Sequence, residues 1–380
     1  MRRSAVLLAA LGAVFASAKR CQDITVSLSL ESRNAKFNLE PLLTDVEVTD
    51  FYLRLARQGG NLMEELQDGY HDVKGNYKLA TTYCEPDDGP GHVLQIMTHG
   101  VGFDRSYWDL PAQRHKYSYV DRAVDDHGYS TLTWDRLGIG ASSKAKDTVN
   151  ELQIALEIEA LRALTEMAAV GGKLTRNHAY GRSIVHMGHS FGSAMTYNLV
   201  NQYPEISSGI VLTGFSQVPD YMGLFALAGN FSPVRSIPGL RWRYPAGYVG
   251  AGSERAVQIN FFGPGDFDPE ILDYMYKNGQ PNTPGEILTV GSGGGVPNQF
   301  KGPAMIITGD RDVPFCGGDC MSTIAIKGKA PNLIEHSKPM FPEVSVFNAT
   351  VVPGAGHGLF LGYSGSGAMG SILDFLDTNV

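Results

Sequence analysis

A glycine-flanked serine is the first feature of this 380-residue sequence that could carry chemistry. Residues 188–192 read Gly-His-Ser-Phe-Gly, the only G-x-S-x-G pattern in the chain. The apolar stretch Ile184–Met187 before it predicts a strand, and Ser193–Tyr197 after it predicts a helix. Glycines on either side suit a tight strand-to-helix turn. The pattern therefore predicts Ser190 as a nucleophile at a helix N-terminus, where backbone amides favour negative charge.

A serine nucleophile needs a base, and the base needs an acid that orients it. The expected chain order is serine, acid, histidine, with each residue after a strand. His357 lies between glycines after an apolar run, and we predict it as the base. Asp312, in the loop Gly309-Asp310-Arg311-Asp312, is the preferred acid. Asp310 and Asp220, which also follow predicted strands, remain alternatives.

Two other histidines lie close to the serine in sequence. We expect His186 to be packed within its strand and the side chain of His189 to project away from Ser190. Neither is therefore the predicted base.

A glycine turn supplies candidate donors for a negatively charged oxygen. His99-Gly100-Val101-Gly102 follows the predicted strand Val93–Thr98. A backbone amide of this turn and the amide of Phe191 could together form an oxyanion site. We prefer Val101 as the donor, with Gly102 as the alternative.

Strands alternate with helices over most of the chain. A capping box at Thr148 and Glu151 predicts the start of one helix, whose buried face carries Ile154, Ile158 and Leu161. Alternation of this kind predicts an α/β fold with a mostly parallel sheet. The predicted strands, in addition to Ile184–Met187 and Val93–Thr98, are Ile24–Leu30, Tyr77–Tyr83, Ser130–Trp134, Ile210–Thr213, Ala304–Thr308 and Ser345–Val352.

One segment, at about 218–300, lacks this alternation. It is rich in glycine, proline and aromatic residues and ends in the glycine run 291–295. Long irregular insertions in compact domains are usually lids or binding elements. We predict a cap over a pocket, since the aromatic content argues against the alternative of a disordered linker.

These motifs together resemble the α/β-hydrolase family. Residues 134–143 add a match to that family's D-x-x-G-x-G-x-S segment, and the resemblance spans roughly residues 75–378. It implies an eight-stranded, mostly parallel sheet flanked by helices, with the variable insertion as a cap. The family's nucleophile, acid and base fall on Ser190, Asp312 and His357. Within the family, the sequence most resembles secreted fungal esterases.

The first 18 residues have the features of a signal peptide. Arg2 and Arg3 precede a short apolar run, and Ala16-Ser17-Ala18 suits a signal peptidase. The run is shorter than the roughly 20 apolar residues of a membrane span, so we expect secretion, with residues 19–380 as the mature domain and no stable membrane anchor. Asn348 and Asn230 are candidate glycosylation sites, the latter less attractive because Pro233 follows its motif.

In an oxidising compartment we expect the four cysteines to form disulfides, for which three pairings are possible. We favour Cys316 with Cys320, because their four-residue spacing can bring both side chains to one turn. That choice leaves Cys21 to pair with Cys84. Zinc is a competing idea that a single C-x₃-C supports weakly.

Charge and motif content exclude several other classes. The net charge is −8 and there is no basic block, which argues against nucleic acid as a partner. Residues 365–370 satisfy G-x-G-x-x-G, but too few residues follow for a dinucleotide-binding unit. We expect no metal and no cofactor. Oligomeric state cannot be deduced from the sequence.

The leading hypothesis is a secreted serine hydrolase that cleaves a carboxylic ester or lactone of a largely apolar small molecule through an acyl-enzyme. An acyltransferase or lyase that uses the same triad is an alternative, and so is a non-catalytic binding protein on this fold. An epoxide hydrolase or dehalogenase is disfavoured because serine, not aspartate, holds the nucleophile position.

Overall fold

Ten strands form an eight-stranded sheet and a separate short hairpin in this computed structural model, which describes residues 19–113 and 116–380. The predicted signal peptide lies outside the described residues. The strands are β1 Arg20–Phe37, β2 Gln67–Glu85, β3 Leu94–Thr98, β4 Ser130–Trp134, β5 Ile184–His189, β6 Gly209–Thr213, β7 Phe231–Pro233, β8 Val249–Ala251, β9 Ala304–Gly309 and β10 Phe347–Val352.

The large sheet has the order β1-β2-β4-β3-β5-β6-β9-β10. β1 pairs with β2 and β2 with β4 in antiparallel fashion, and all the other neighbours are parallel. Every residue of β3, β4, β5, β6 and β9 is buried, as expected of strands covered on both faces. The prediction of a mostly parallel eight-stranded sheet is confirmed.

Helices connect the strands and cover the sheet. α4 packs against α5 and β1, α5 packs against β5, and α11 contacts β6 and β9. None of the helices in the described part of the chain is long and apolar enough to cross a membrane. The α-helices are α1 Asp45–Leu55, α2 Leu62–Leu66, α3 Tyr119–Asp121, α4 Ile154–Val170, α5 Phe191–Gln202, α6 Met222–Ala228, α7 Glu254–Phe261, α8 Pro269–Lys277, α9 Pro284–Thr289, α10 Val313–Cys316 and α11 Gly365–Asn379.

Residues 214–303 form an inserted segment between β6 and β9. It contains α6 to α9 and the hairpin of β7 and β8, so it is built of short regular elements rather than irregular chain. α9 is wholly buried, and the amide of Gly285 donates to the carbonyl of Thr148, just before α4. The C-terminal part of the inserted segment is therefore attached to the body of the domain.

The capping box predicted at Thr148 and Glu151 is wrong. α4 begins at Ile154, with Gln153 as its N-cap. The carboxylate of Glu151 instead accepts from the amides of Lys146 and Asp147, which stabilises a turn ahead of the helix. The side-chain amide of Gln153 exchanges hydrogen bonds with the backbone of Ala35 on β1, so a contact distant in sequence decides where the helix begins.

Candidate active site

Ser190 occupies a strained turn between β5 and α5. Its φ of 54° and ψ of −115° lie outside the regions that L-residues favour. A Cβ at Gly188 would lie 2.3 Å from the carbonyl oxygen of Gly192, and one at Gly192 would lie 2.1 Å from that of Thr98. Only glycine fits at either position. The turn therefore requires both glycines of the sequence pattern.

Backbone hydrogen bonds hold this turn in place. The amide of Ser190 donates to the carbonyl of Thr213 at the end of β6, at 2.9 Å. Phe191 is the first residue of α5, so its amide has no partner within the helix. The predicted oxyanion donor thus lies at a helix N-terminus directly after Ser190.

His357 and Asp312 form a fully buried pair. His357 Nδ1 donates to Asp312 Oδ2 at 2.8 Å. The same carboxylate oxygen accepts from the Thr308 hydroxyl at 2.6 Å, and Oδ1 accepts from the Phe315 amide at 2.8 Å. With its proton on Nδ1, the imidazole has an unprotonated Nε2 available as a base.

The two alternative acids lie elsewhere. Asp310 Oδ1 accepts from the amide of Gly354 at 2.8 Å, in the loop that leads to His357. Asp220 is exposed in a 3₁₀ turn, Pro219–Tyr221. Of the three carboxylates considered, only Asp312 is bonded to His357.

The structure brings His357 and Ser190 to the same carboxyl edge of the sheet. Gly214 follows Thr213, whose carbonyl accepts from the Ser190 amide. Gly214 packs against the His357 ring. A Cβ at this glycine would lie 2.8 Å from Cε1 of His357. Within the described residues, His357 Nε2 has no hydrogen-bond partner. It is therefore free to accept a proton.

Two phenylalanines lie against the His357 ring. Phe261, the last residue of α7, lies with its ring centroid 5.9 Å from that of His357 and 23° from parallel. Phe315 on α10 lies at 5.5 Å and 28°. These contacts restrict the imidazole plane. Neither role could be predicted from the sequence, because no local pattern distinguishes these phenylalanines from core residues.

Two further histidines are held neutral near the site. His99 Nδ1 donates to the Gly100 carbonyl at 2.8 Å, and Nε2 accepts from the amide of Arg136 at 3.0 Å. His189 Nδ1 lies 3.0 Å from the Thr213 hydroxyl, which itself donates to Gly188. Burial lowers the pKa of both histidines well below the ordinary value, helped by the Arg136 charge for His99 and by His357 for His189.

His186 and His189 have different surroundings. His186 is packed, with Thr165 and Ser207 hydroxyls on its two nitrogens, as predicted. The His189 ring lies 4.8 Å from that of His357 and stacks on Tyr107 at 4.4 Å. His189 is therefore a buried neighbour of the predicted base, a position that its place in the sequence did not reveal.

The predicted oxyanion turn borders a cavity of about 260 Å³. Val101 and Gly102 line it together with Phe261 and apolar residues of the inserted segment. Gly102 has a φ of 88°, and its carbonyl accepts from the Gln280 amide, so this turn is fixed to the inserted segment. Val101 as the donor stays a prediction.

Both favoured disulfides are present, Cys21–Cys84 and Cys316–Cys320. The first joins directly paired residues of β1 and β2. The second follows Asp312 and encloses the end of α10, so it stiffens the acid loop. No group of three or more His, Cys, Asp or Glu side chains in residues 19–113 and 116–380 could hold a metal ion.

Solved structures with similar folds include an esterase from Thermogutta terrifontis, with 15% identity and a TM-score of 0.55, covering 80% of this chain and 94% of that one. A bromoperoxidase from Bacillus anthracis has 16% identity and a TM-score of 0.51, covering 80% and 96%. At these identities the likeness shows the fold. No curated protein sequence matches the chain. The model of the alpha/beta hydrolase family matches residues 95–364, well over half of the 380 residues, and the chain therefore belongs to that family.

Proposed function

We propose that the protein is a serine hydrolase that cleaves a carboxylic ester or lactone of a largely apolar small molecule. One observation carries the proposal. A strained serine turn and a buried His357–Asp312 pair occur at the same edge of the sheet, and no group in the described part of the chain bonds to Nε2 of the imidazole. This arrangement can deprotonate a serine and stabilise the imidazolium that results.

The reaction then runs in two halves. The Ser190 oxygen bonds to the substrate carbonyl carbon while His357 Nε2 takes the hydroxyl proton, and amides of Phe191 and Val101 bind the oxyanion. The carbon–oxygen bond to the alcohol breaks, and the proton passes to that alcohol. Water then attacks the carbonyl carbon of the acyl-enzyme by the same steps, which releases the carboxylic acid and free Ser190.

The cavity beside the oxyanion turn supports an apolar substrate portion. Its lining includes Phe225 and Phe231 of the inserted segment, and Phe261, which also touches His357. Ligand pockets are typically lined by apolar and aromatic groups with few polar ones. The inserted segment therefore acts in this proposal as the cap that selects the substrate.

Covalent labelling tests the chemistry. A fluorophosphonate probe should label the parent on Ser190 alone, as located by mass spectrometry, and Ser190→Ala should lose both labelling and ester turnover. Ser193→Ala, which removes a nearby hydroxyl that donates to Thr213, is the matched control and should label. An adduct on another residue, or no adduct at all, would refute the assignment.

Substitutions in the inserted segment test whether it selects the substrate. Each buried aromatic contributes roughly 1.5–3 kcal/mol of apolar contact, and ~1.4 kcal/mol is a tenfold effect. Phe225→Ala should therefore shift the ratio of kcat/KM between long and short p-nitrophenyl esters by about tenfold. Leu224→Ala, an exposed neighbour on α6, is the control. Equal profiles for both variants would remove the inserted segment from substrate selection. Lactones belong in the same panel.

We also propose that the protein is secreted and glycosylated. The two disulfides support an oxidising compartment, and the side chains of Asn348 and Asn230 are exposed. Expression in a secretory host, followed by N-terminal sequencing and glycosidase treatment, tests both. The narrower resemblance to secreted fungal esterases also stays a prediction.

A further inference from the structure

Arg136 is a buried arginine that takes no part in the proposed reaction. It follows β4, and its side chain is fully excluded from solvent, as are those of Glu157 on α4 and Glu286 on α9. Arg136 Nη1 donates to Glu157 Oε2 and to Glu286 Oε1, each at 2.6 Å. When such a buried ionic group is replaced by apolar side chains of similar volume, the folded protein is often equally stable. Stability alone therefore does not account for it.

Arg136 touches both sides of the predicted oxyanion site. Its guanidinium carbon lies 4.4 Å from the centroid of the Phe191 ring. Its backbone amide donates to Nε2 of His99, whose Nδ1 donates to the carbonyl of Gly100. The side chain of Arg136 thus packs on the ring of the predicted donor after Ser190, and its backbone amide contacts, through His99, the turn that carries Val101.

A third contact joins Arg136 to the inserted segment. Glu286 is the third residue of α9, and its Oε2 accepts from the Thr283 amide in a capping box. Its other oxygen holds Arg136, which is 150 residues away in sequence. The helix that anchors the inserted segment therefore shares its carboxylate with the residue that supports the oxyanion site.

The charges of Arg136, Glu157 and Glu286 do not balance when all three side chains are ionised. One guanidinium faces two carboxyl groups in a site excluded from bulk solvent, so the three side chains are neutral only if one carboxyl holds a proton. Burial, together with the carboxyl of Glu286, raises the pKa of Glu157 well above its usual value despite the opposing effect of Arg136. Both oxygens of Glu286 accept hydrogen bonds, from Arg136 and from the Thr283 amide, whereas Glu157 Oε1 has no hydrogen-bond partner among the described residues. We therefore assign the proton to Glu157.

We propose that Arg136 is a positioning residue for the oxyanion site, held by Glu157 and Glu286 in a neutral unit with one proton. This role rests on the proposed hydrolase function. Donors of an oxyanion site act only when they are held in place for the transition state, and small displacements reduce turnover. Loss of Arg136 should therefore reduce kcat more than it changes KM.

The charge count can be tested by unfolding, without any assay of activity. Either Glu157→Gln or Glu286→Gln leaves one carboxylate for Arg136, so each should lower the unfolding midpoint by less than about 2 °C. The double variant leaves the guanidinium unpaired and should lower the midpoint by at least about 5 °C. The matched control is Glu159→Gln/Glu166→Gln, because these two glutamates pair with the more exposed Arg162 on the same helix. Its shifts of the unfolding midpoint should be small and additive. Additive shifts in the buried pair would overturn the neutral unit.

The positioning role is tested with a folded, uncharged replacement, Arg136→Met/Glu157→Leu/Glu286→Gln. Glutamine can keep the capping box, and apolar groups replace the buried charges. We expect a midpoint near that of the parent, kcat on a p-nitrophenyl ester at least about tenfold lower and KM within about threefold. Arg162→Met should match the parent in both constants. Parent-like kcat in the folded triple variant would overturn the role, whereas a parent that neither turns over esters nor takes the fluorophosphonate label would refute the proposed function itself.

Discussion

Replacing Asp312 with asparagine changes one atom of a carboxylate that accepts three hydrogen bonds. In the parent, Oδ1 accepts from the Phe315 amide, and Oδ2 accepts from both Thr308 and His357. An asparagine that keeps its oxygen on the Phe315 amide must turn its NH₂ toward His357. The imidazole can bond to that group only through an unprotonated Nδ1, which leaves its proton on Nε2. The base is then in the wrong tautomer.

The size of the effect follows from that tautomer. Asp312→Asn should lower kcat by about 10⁴, as in the analogous change in serine proteases, which corresponds to ~5.5 kcal/mol of transition-state stabilisation. Asparagine also caps helices well, so α10, for which Asp312 is the N-cap, should persist. We therefore expect an unfolding midpoint within a few degrees of the parent value, and a loss that is catalytic rather than structural.

Steady-state hydrolysis of p-nitrophenyl esters, with unfolding midpoints measured in parallel, checks this prediction. Asp310→Asn is the matched control in the same loop, because asparagine can still accept from the Gly354 amide that Asp310 now binds. It should retain kcat within about threefold of the parent. A kcat for Asp312→Asn within tenfold of the parent, or a larger loss in Asp310→Asn, would show that the acid is assigned to the wrong residue.

Gly192→Ala would place a methyl group 2.1 Å from the Thr98 carbonyl oxygen, so we expect a fall of at least about 5 °C in the unfolding midpoint. Gly370→Ala on α11, where a Cβ meets nothing within 4 Å, should instead hold or raise it, and equal midpoints for the two variants would contradict the steric argument. Thr308→Val removes one donor from the Asp312 carboxylate and should lower kcat by about tenfold at constant KM. A kcat equal to the parent value in steady-state assays would show that this hydroxyl contributes nothing to the pair.

The sheet, and the placement of Ser190, Asp312 and His357 at one edge of it, could be predicted because the signals are local. Apolar runs such as Ala304–Thr308 form strands where expected, and β5 begins at Ile184 as predicted. Ser190, Asp312 and His357 each follow a strand, so the topology of a parallel sheet brings them to one edge. Periodicity and turn residues were sufficient for this part of the fold.

The missed features depend on contacts between distant parts of the chain. The start of α4 is decided by Gln153 binding to β1, and Phe261 reaches His357 from the inserted segment. Arg136 meets Glu286 across 150 residues. Before the fold is known, these side chains look like an ordinary amide, an aromatic residue and a charged pair. Local sequence cannot distinguish them from surface or core residues.

The two disulfides affect the unfolded chain very differently. Cys21 and Cys84 are separated by 63 residues, whereas Cys316 and Cys320 are separated by only 4. In the chain-entropy description, closing the longer loop removes conformational freedom from the unfolded state worth about 4 kcal/mol, and the shorter loop about 2 kcal/mol. The Cys21–Cys84 bridge also keeps β1, an edge strand, beside its partner while the rest of the chain is disordered. If a nascent chain forms this bridge early, β1 and β2 are therefore held in register before the rest of the sheet forms. This should increase the folding rate and reduce pairing between exposed sheet edges of separate molecules.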